Sequence, residues 1–267
     1  MSVAKEQREK LIWEFPNIGK KAPEQEEKAF AYCEGYKEFL NAAKTEREFV
    51  REAVLRLKEA GYEEFEEGKI YQPGDKVYQI NRKKALLMST FGKRPLEDGV
   101  RINVAHIDSP RLDLKPNPLY EKAEAAYFKT HYYGGIRKYQ WATIPLAMHG
   151  VVILKDGTSV DICIGEKEGD PVFCVTDLLP HLAAQQNERK LKDGIKGEEL
   201  NIIVGSLPYP CEEEDSIKEP VKLLALSILN ERFGMTEKDF LRAEIEFVPA
   251  VKATDVGLDR SLVGAYG

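Results

Sequence analysis

Apolar positions in the first hundred residues recur at helical spacing and then at strand spacing. Ala29, Phe30, Cys33, Tyr36, Phe39 and Leu40 follow the i, i+3, i+4 pattern and predict a helix over 24–42 with one buried face. A second helix has both punctuation marks. Thr45 with Glu48 forms a capping-box pair at its start, Phe49, Val50, Ala53, Val54 and Leu57 make its stripe, and Gly61 stands where a helix ends. Short apolar runs then predict strands at 77–80, 84–91 and 100–106, the last opening on the uninterrupted run 100–104. Two helices followed by strands, one of them apolar on both faces, predict an α/β layer with helices against a mixed sheet.

The texture changes after Pro110. From Pro116 to Phe247 short strand candidates alternate with turns, the clearest at 125–132, 143–148, 151–154, 159–164 and 172–175, with the hairpin signal Asp156-Gly157 between two of them. Two helices interrupt this β texture. One is short and contains His181. The other has Pro220 near its start, Gly234 after its end and a wide apolar face of Leu223, Leu224, Leu226, Ile228 and Leu229. The charged stretch 187–199 reads as a flexible loop, and Glu212-Glu213-Glu214-Asp215 as a solvated one. The pattern describes an α/β unit interrupted by a mostly β module.

Bulk charge narrows the function. The 267 residues carry 39 Lys and Arg against 45 Asp and Glu, a net of −6. No basic block appears, which argues against a nucleic-acid partner. The first residues lack the apolar core of a signal peptide, and no apolar run approaches the ~18 residues of a membrane span. Cys33, Cys163, Cys174 and Cys211 are widely spaced without a Cys-x-x-Cys pair. The expectation is a cytoplasmic protein with reduced thiols and no membrane partner.

The chemistry concentrates at Ala105-His106-Ile107-Asp108-Ser109-Pro110, directly after the apolar run. A strand that ends in His-x-Asp puts an imidazole and a carboxylate two residues apart at a sheet mouth, on the same side. His106 is then a candidate metal ligand and Asp108 the group that orients it. Taken alone the tripeptide reads equally as a solvated strand end or a turn cap. Glu244 and Glu246 alternate with Ile245 and Phe247, as in a half-exposed strand. His131, His149 and His181, the other histidines, show no H-E-x-x-H or H-x-x-E-H spacing.

Flanking residues decide between these readings. Ala105 to Leu112 (AHIDSPRL) resembles the first metal motif of the M18 metallo-aminopeptidases, the aspartyl aminopeptidase family. His131-Tyr132-Tyr133-Gly134-Gly135-Ile136 resembles its Tyr-Gly-Gly segment, and Val175 to Leu182 (VTDLLPHL) its Pro-His-Leu segment. Thr254 to Arg260 (TDVGLDR) resembles a block of the bacterial branch, and all four stand in family order.

The resemblance implies a zinc-peptidase-like catalytic domain, first segment 1–112 and resumed at 247–267, interrupted by a dimerisation domain at 113–246. It implies a zinc aminopeptidase that removes the N-terminal residue, acidic by the family name, from peptide substrates by metal-activated water. Two zinc ions per complete subunit are implied, with cobalt or manganese also suited to such ligands, and dimers that build a tetrahedral dodecamer. By position, His106 would ligate zinc and Asp108 would tune it. His181 would reach a neighbouring subunit's site, unless it is a packed or capping histidine. The position four residues on, a second His in some members, is Gln185. Arg111, Lys115 and Lys129 are candidates to favour an acidic side chain. The family's bridging Asp, catalytic Glu and remaining ligands would lie beyond Gly267, so the expectation is an N-terminal part whose metal site is incomplete.

Overall fold

The computed structural model describes residues 2–13, 22–210 and 217–267. Cys211 and the acidic run Glu212 to Asp215 lie outside them. The fold class is α/β, as the pattern predicts. Helices α1 (Val3–Leu11), α2 (Glu26–Ala42) and α3 (Glu46–Glu59) precede strands β1 (Glu63–Glu64), β2 (Lys76–Asn81) and β3 (Ala85–Thr90), which form one sheet in that order. The capping box of α3 is present: the Thr45 hydroxyl accepts from the Glu48 N–H, and the Glu48 carboxylate accepts from the Thr45 N–H. Gly61 follows α3 with φ +80°, the left-handed conformation that ends a helix most cheaply in glycine. The stripe of α2 is less buried than its periodicity predicts, with Phe30 and Tyr36 exposed and Lys37 the one buried residue of the helix.

The run 100–106 forms neither strand nor helix, contrary to the sequence reading. Val100, Ile102 and Val104 are exposed, Val104 to 88%. An apolar run becomes a strand buried on both faces only where neighbours pair with it. Here the first sheet ends at β3, whose Leu87 and Met88 are themselves exposed.

The second sheet has seven strands: β4 (Arg111–Lys122), β5 (Ala125–Tyr133), β6 (Leu146–Ile153), β7 (Ser159–Ile164), β8 (Cys174–Val175), β9 (Ile202–Gly205) and β10 (Ala243–Pro249). Their spatial order is β7-β6-β10-β4-β5-β9-β8, and every pairing is antiparallel. The sequence reading names no strand at β4, which carries Pro116 and Pro118, residues that sheets confine to edges and irregular places. The strand absorbs both prolines by a register shift between Leu114 and Leu119. The candidates 143–148 and 151–154 are one strand, β6, with Gly150 inside it. A Cβ at Gly150 would stand 2.1 Å from the Glu244 carbonyl oxygen on β10, so glycine here permits close strand approach rather than a turn. Asp156-Gly157 turns β6 into β7, as its composition predicts.

Helix α4 (Ala184–Asn187) is short but begins after His181, which the sequence reading places within it, and α5 (Pro220–Phe233) ends at Gly234 as read. The charged stretch 187–199 is tethered rather than free: Ile195 is buried, and Arg189 pairs with Glu199 at 2.9 Å. Strands β11 (Thr254–Val256) and β12 (Leu262–Gly264) form a hairpin. Asp255 binds Lys37 of α2 at 2.6 Å and Arg260 at 2.5 Å, so this block ties the hairpin to α2.

The seven-stranded sheet has two unlike faces, as strand alternation requires. Leu112, Phe128, Leu146, Met148, Val152, Ile245 and Phe247 form the apolar core with Val221, Ala225 and Leu229 of α5. Arg111, Asp113, His149, Glu244 and Glu246 alternate with those core residues on the central strands, and Arg111, His149 and Glu244 bind Glu46, Glu48 and Arg47 at the start of α3.

Candidate metal-binding site

His106 and Asp108 come together beside the central strands. The His106 ring nitrogen Nδ1 lies 2.9 Å from the Asp108 carbonyl oxygen and 3.2 Å from its carboxylate Oδ1. Tyr133, at the end of β5, donates its hydroxyl to Asp108 Oδ2 at 2.7 Å. That hydrogen bond holds the Asp108 carboxyl below the usual carboxylate range and raises the Tyr133 phenol. With Nδ1 engaged, Nε2 is the outward-facing nitrogen of a ring that is 83% exposed. An imidazole held at one nitrogen by a main-chain carbonyl, with a carboxylate beside it, and open at the other has the form of a metal ligand with its orienting partner.

The segment is fixed from the seven-stranded sheet, not by the strand the sequence predicts. The Arg111 guanidinium lies over the Tyr133 ring at 4.1 Å. Tyr266 donates to the Pro110 carbonyl at 2.7 Å. Gly134 turns at φ +78° directly against Pro110, where a Cβ would meet the Pro110 Cα at 3.5 Å. Sequence reasoning missed Tyr133 and Tyr266. The signal for Tyr133 was the Tyr-Gly-Gly segment, which the sequence reading uses only as a block of resemblance.

Beneath lies a charge layer that sequence reasoning also missed. Arg111 is buried and donates to Glu46 at 2.8 Å and to Asp113 at 2.8 Å, with Glu246 Oε2 at 3.4 Å from its Nε. Glu46 Oε2 and Glu246 Oε2 are buried with no hydrogen-bond partner among the described residues. Burial, and then Glu46, push the Glu246 carboxyl up to about 8. The half-exposed reading of this strand therefore holds for Glu244, which pairs with Arg47 and Lys84, and fails for Glu246, which is 4% exposed. Arg111 is committed to these carboxylates and is not free to meet a substrate. Lys115 pairs with Glu198 at 2.6 Å, and Lys129 lies over the Tyr120 ring at 5.2 Å.

The other histidines stand apart. His149 is buried between Glu48 at 2.8 Å and Glu166 at 2.9 Å. His131 is exposed and stacks on Tyr132. His181 is exposed on a single 3-10 turn, Pro180–Leu182, and no hydrogen bond or ion pair joins it to His106 or Asp108 among the described residues. Among those residues no three His, Cys, Asp or Glu side chains converge as a metal cage. The residues present fit one corner of a metal site, His106 with Asp108 behind it.

Residues 39–267 match the family model of the aminopeptidase I zinc metalloproteases, M18. The chain belongs to the M18 family. It is 49% identical over 262 residues to a probable M18 family aminopeptidase 1 of Clostridium acetobutylicum, covering 96% of this chain and 56% of that one. The crystal structure of an M18 aminopeptidase from Thermotoga maritima superposes with a TM-score of 0.88 at 45% identity, covering 96% of this chain and 55% of that one. The mApe1 dodecamer of S. cerevisiae shares the fold alone, with a TM-score of 0.61 at 18% identity over 86% of this chain and 50% of that one. The chain spans about half the length of the M18 relatives it matches. The family is one of zinc metalloproteases, which fits the imidazole offered by His106. No helix among the described residues is long and apolar enough to cross a membrane.

Proposed function

We propose that this chain carries part of the active site of a zinc-dependent M18 aminopeptidase that removes N-terminal residues from peptides. The observation that carries this reading is the His106–Asp108 pair, one ring nitrogen held and the other exposed, in a chain of a zinc metalloprotease family. His106 supplies one ligand nitrogen. Asp108 holds the ring and raises its basicity. When bound, zinc supplies Lewis-acid polarisation and an activated water at neutral pH. The remaining ligands are not gathered among the described residues, so the chain by itself is expected to be inactive. Two ions per subunit and cytoplasmic residence belong to the same reading.

The segment 113–246 is the proposed dimerisation domain, since most of the seven-stranded sheet and all of α5 lie within it. A homo-oligomer built from such dimers is favoured by the dodecamer of the yeast neighbour. His181, exposed on its turn, is free to approach a neighbouring subunit and to steady the developing oxyanion of the substrate carbonyl. An acidic N-terminal residue is the proposed preference, with Lys129 the exposed basic candidate.

Calorimetric zinc titration tests the metal reading. Residues 1–267 should bind zinc weakly and only through His106, and tight binding of two zinc ions by this chain alone would overturn it. In the full-length enzyme His106→Ala should remove most activity. Mixing His106→Ala with His181→Ala subunits should restore part of it, because the two defects fall in different sites. A mixture that stays inactive while subunits exchange freely would make His181 structural.

A further inference from the structure

We propose that Tyr133 is a positioning residue that fixes the ring of His106 through Asp108, with Arg111 as the anchor beneath it. The inference rests on the reading of His106 as a metal ligand and extends it by two residues. Its basis is a continuous chain of contacts. Among the described residues the His106 ring bonds Asp108 alone, its Nδ1 lying 2.9 Å from the main-chain carbonyl and 3.2 Å from the carboxylate. One Asp108 oxygen faces that nitrogen, and the other accepts the Tyr133 hydroxyl at 2.7 Å. The Tyr133 ring is pinned under the Arg111 guanidinium at 4.1 Å. Arg111 in turn is held by Glu46 at 2.8 Å and Asp113 at 2.8 Å, both on the charged side of the sheet.

The surroundings make this chain necessary. Residues 100–105 are exposed and form no strand, so they do not aim the imidazole. The Asp108 main-chain carbonyl engages Nδ1 at 2.9 Å but leaves the ring free to swing about that single bond, and a carboxylate with one free oxygen, 3.2 Å from the same nitrogen, would rotate beside it. The Tyr133 hydroxyl removes that freedom, because it satisfies the oxygen that His106 does not use. The guanidinium over the ring fixes the tyrosine itself, a contact that is both cation–π and packing. A ligand imidazole oriented in this way presents Nε2 in one direction, which is the function of outer partners at metal sites.

Tyr133→Phe isolates the hydroxyl, since it leaves the ring under Arg111. The experiment uses chain 1–267 with uniformly 15N-labelled histidine, its four imidazoles followed by NMR with zinc ion as the only added probe. In the wild-type chain the His106 signals should report one tautomer, protonated at Nδ1, and should be the first to shift with zinc. In Tyr133→Phe the tautomer signature should become mixed, and the zinc midpoint at His106 should rise about tenfold. Tyr132→Phe should change neither.

Unchanged His106 signals and an unchanged zinc midpoint in Tyr133→Phe, at unchanged melting temperature, would overturn the positioning role and leave the metal reading standing. Zinc that ignores His106 in the wild-type chain would overturn the metal reading, while the tautomer comparison would still decide whether Tyr133 orients the ring. If Tyr133→Phe fails to fold, Asp108→Asn decides the question. It keeps the side-chain volume and replaces the carboxylate, and it must scramble the His106 tautomer for the proposal to stand.

Discussion

Two charge clusters clamp the start of α3 to the same face of the seven-stranded sheet, and they are built on opposite principles. The His149 cluster is balanced. Both ring nitrogens face carboxylates, which only accept, so the ring is an imidazolium donating at each end. Lys44 adds a second cation, 2.7 Å from Glu166, and also donates to the Pro249 carbonyl at 3.0 Å. The Arg111 cluster is not balanced. One guanidinium serves Glu46, Asp113 and Glu246, and two buried oxygens remain without a hydrogen bond among the described residues.

The clusters are neighbours, since Glu246 on β10 pairs in register with His149 on β6 and with Asp113 on β4. The difference follows position. The His149 cluster joins α3 to the sheet and does nothing else visible. The Arg111 cluster also supports Tyr133, and through it Asp108 and His106. Incomplete satisfaction of buried polar groups thus falls beneath the candidate site, where proteins tolerate local disagreement.

The largest break in this comparison is Arg111→Met. It leaves Glu46, Glu246 and Asp113 without their shared cation, and an uncompensated buried charge costs about 3–5 kcal/mol. Urea unfolding of the chain should show a loss of that order. A loss under about 1 kcal/mol would mean that the cluster is solvated rather than clamped.

His149→Leu should cost less, about 1.5–3 kcal/mol for the lost charged hydrogen bonds. Lys44 still neutralises Glu166, and Glu48 still caps α3 by accepting from the Lys44 and Thr45 N–H groups at 3.1 Å. If this loss exceeds that of Arg111→Met, the ranking of the clusters is wrong.

How far the sequence discloses this layer depends on the range of each interaction. The Thr45–Glu48 pair is local, and its cap is readable from four residues. That Glu48 also accepts from the His149 ring is not, because 101 residues separate them. Alternation places Glu244 and Glu246 on one side of β10, but it cannot say which will be covered. The answer depends on where α3 begins, and that end lies over Glu246. His106 and Asp108 were legible because they are two residues apart in a recognisable block. Their fixation was misassigned to an apolar strand because hydropathy reports what a segment prefers to bury, not what is there to cover it. Tyr133 and Arg111 were in plain view within quoted blocks, and only their meeting across β4 and β5 gives them a role. The seven-stranded sheet was legible where turns carry Gly or Asp-Gly. At the two-residue turn Ala123-Glu124, where both φ values are positive without glycine or asparagine, it was not.

The smallest effect below pH 4.5, and the sharpest discriminator between the clusters above it, is expected from Glu246→Gln. The Glu246 carboxyl sits at about 8 in the folded chain against an ordinary 4.5, so at pH 7 it is mostly protonated and a neutral amide replaces it closely. A folded pKa raised above the unfolded value gives stability that is complete below pH 4.5 and is lost as pH climbs through 8. Glutamine does not titrate, so the variant should lose this slope and hold its stability across that window better than the wild type. The His149 contribution has a different window. Burial alone would lower that imidazole, but its hydrogen bonds to Glu166 and Glu48 outweigh burial and push it up to about 9. Its stability is therefore complete below 6.5 and lost as pH rises through 9, and Glu246→Gln should leave that loss in place. Glu48 and Glu166 are both lowered, so their contribution is present above 4.5 and lost only as pH falls. Melting temperatures of wild type and Glu246→Gln from pH 4 to 10 should diverge above pH 4.5 and run parallel above about 8. Curves that stay parallel from pH 5 upward would mean that Glu246 is already ionised in the folded chain, and the Arg111 cluster would then be reached by water rather than buried.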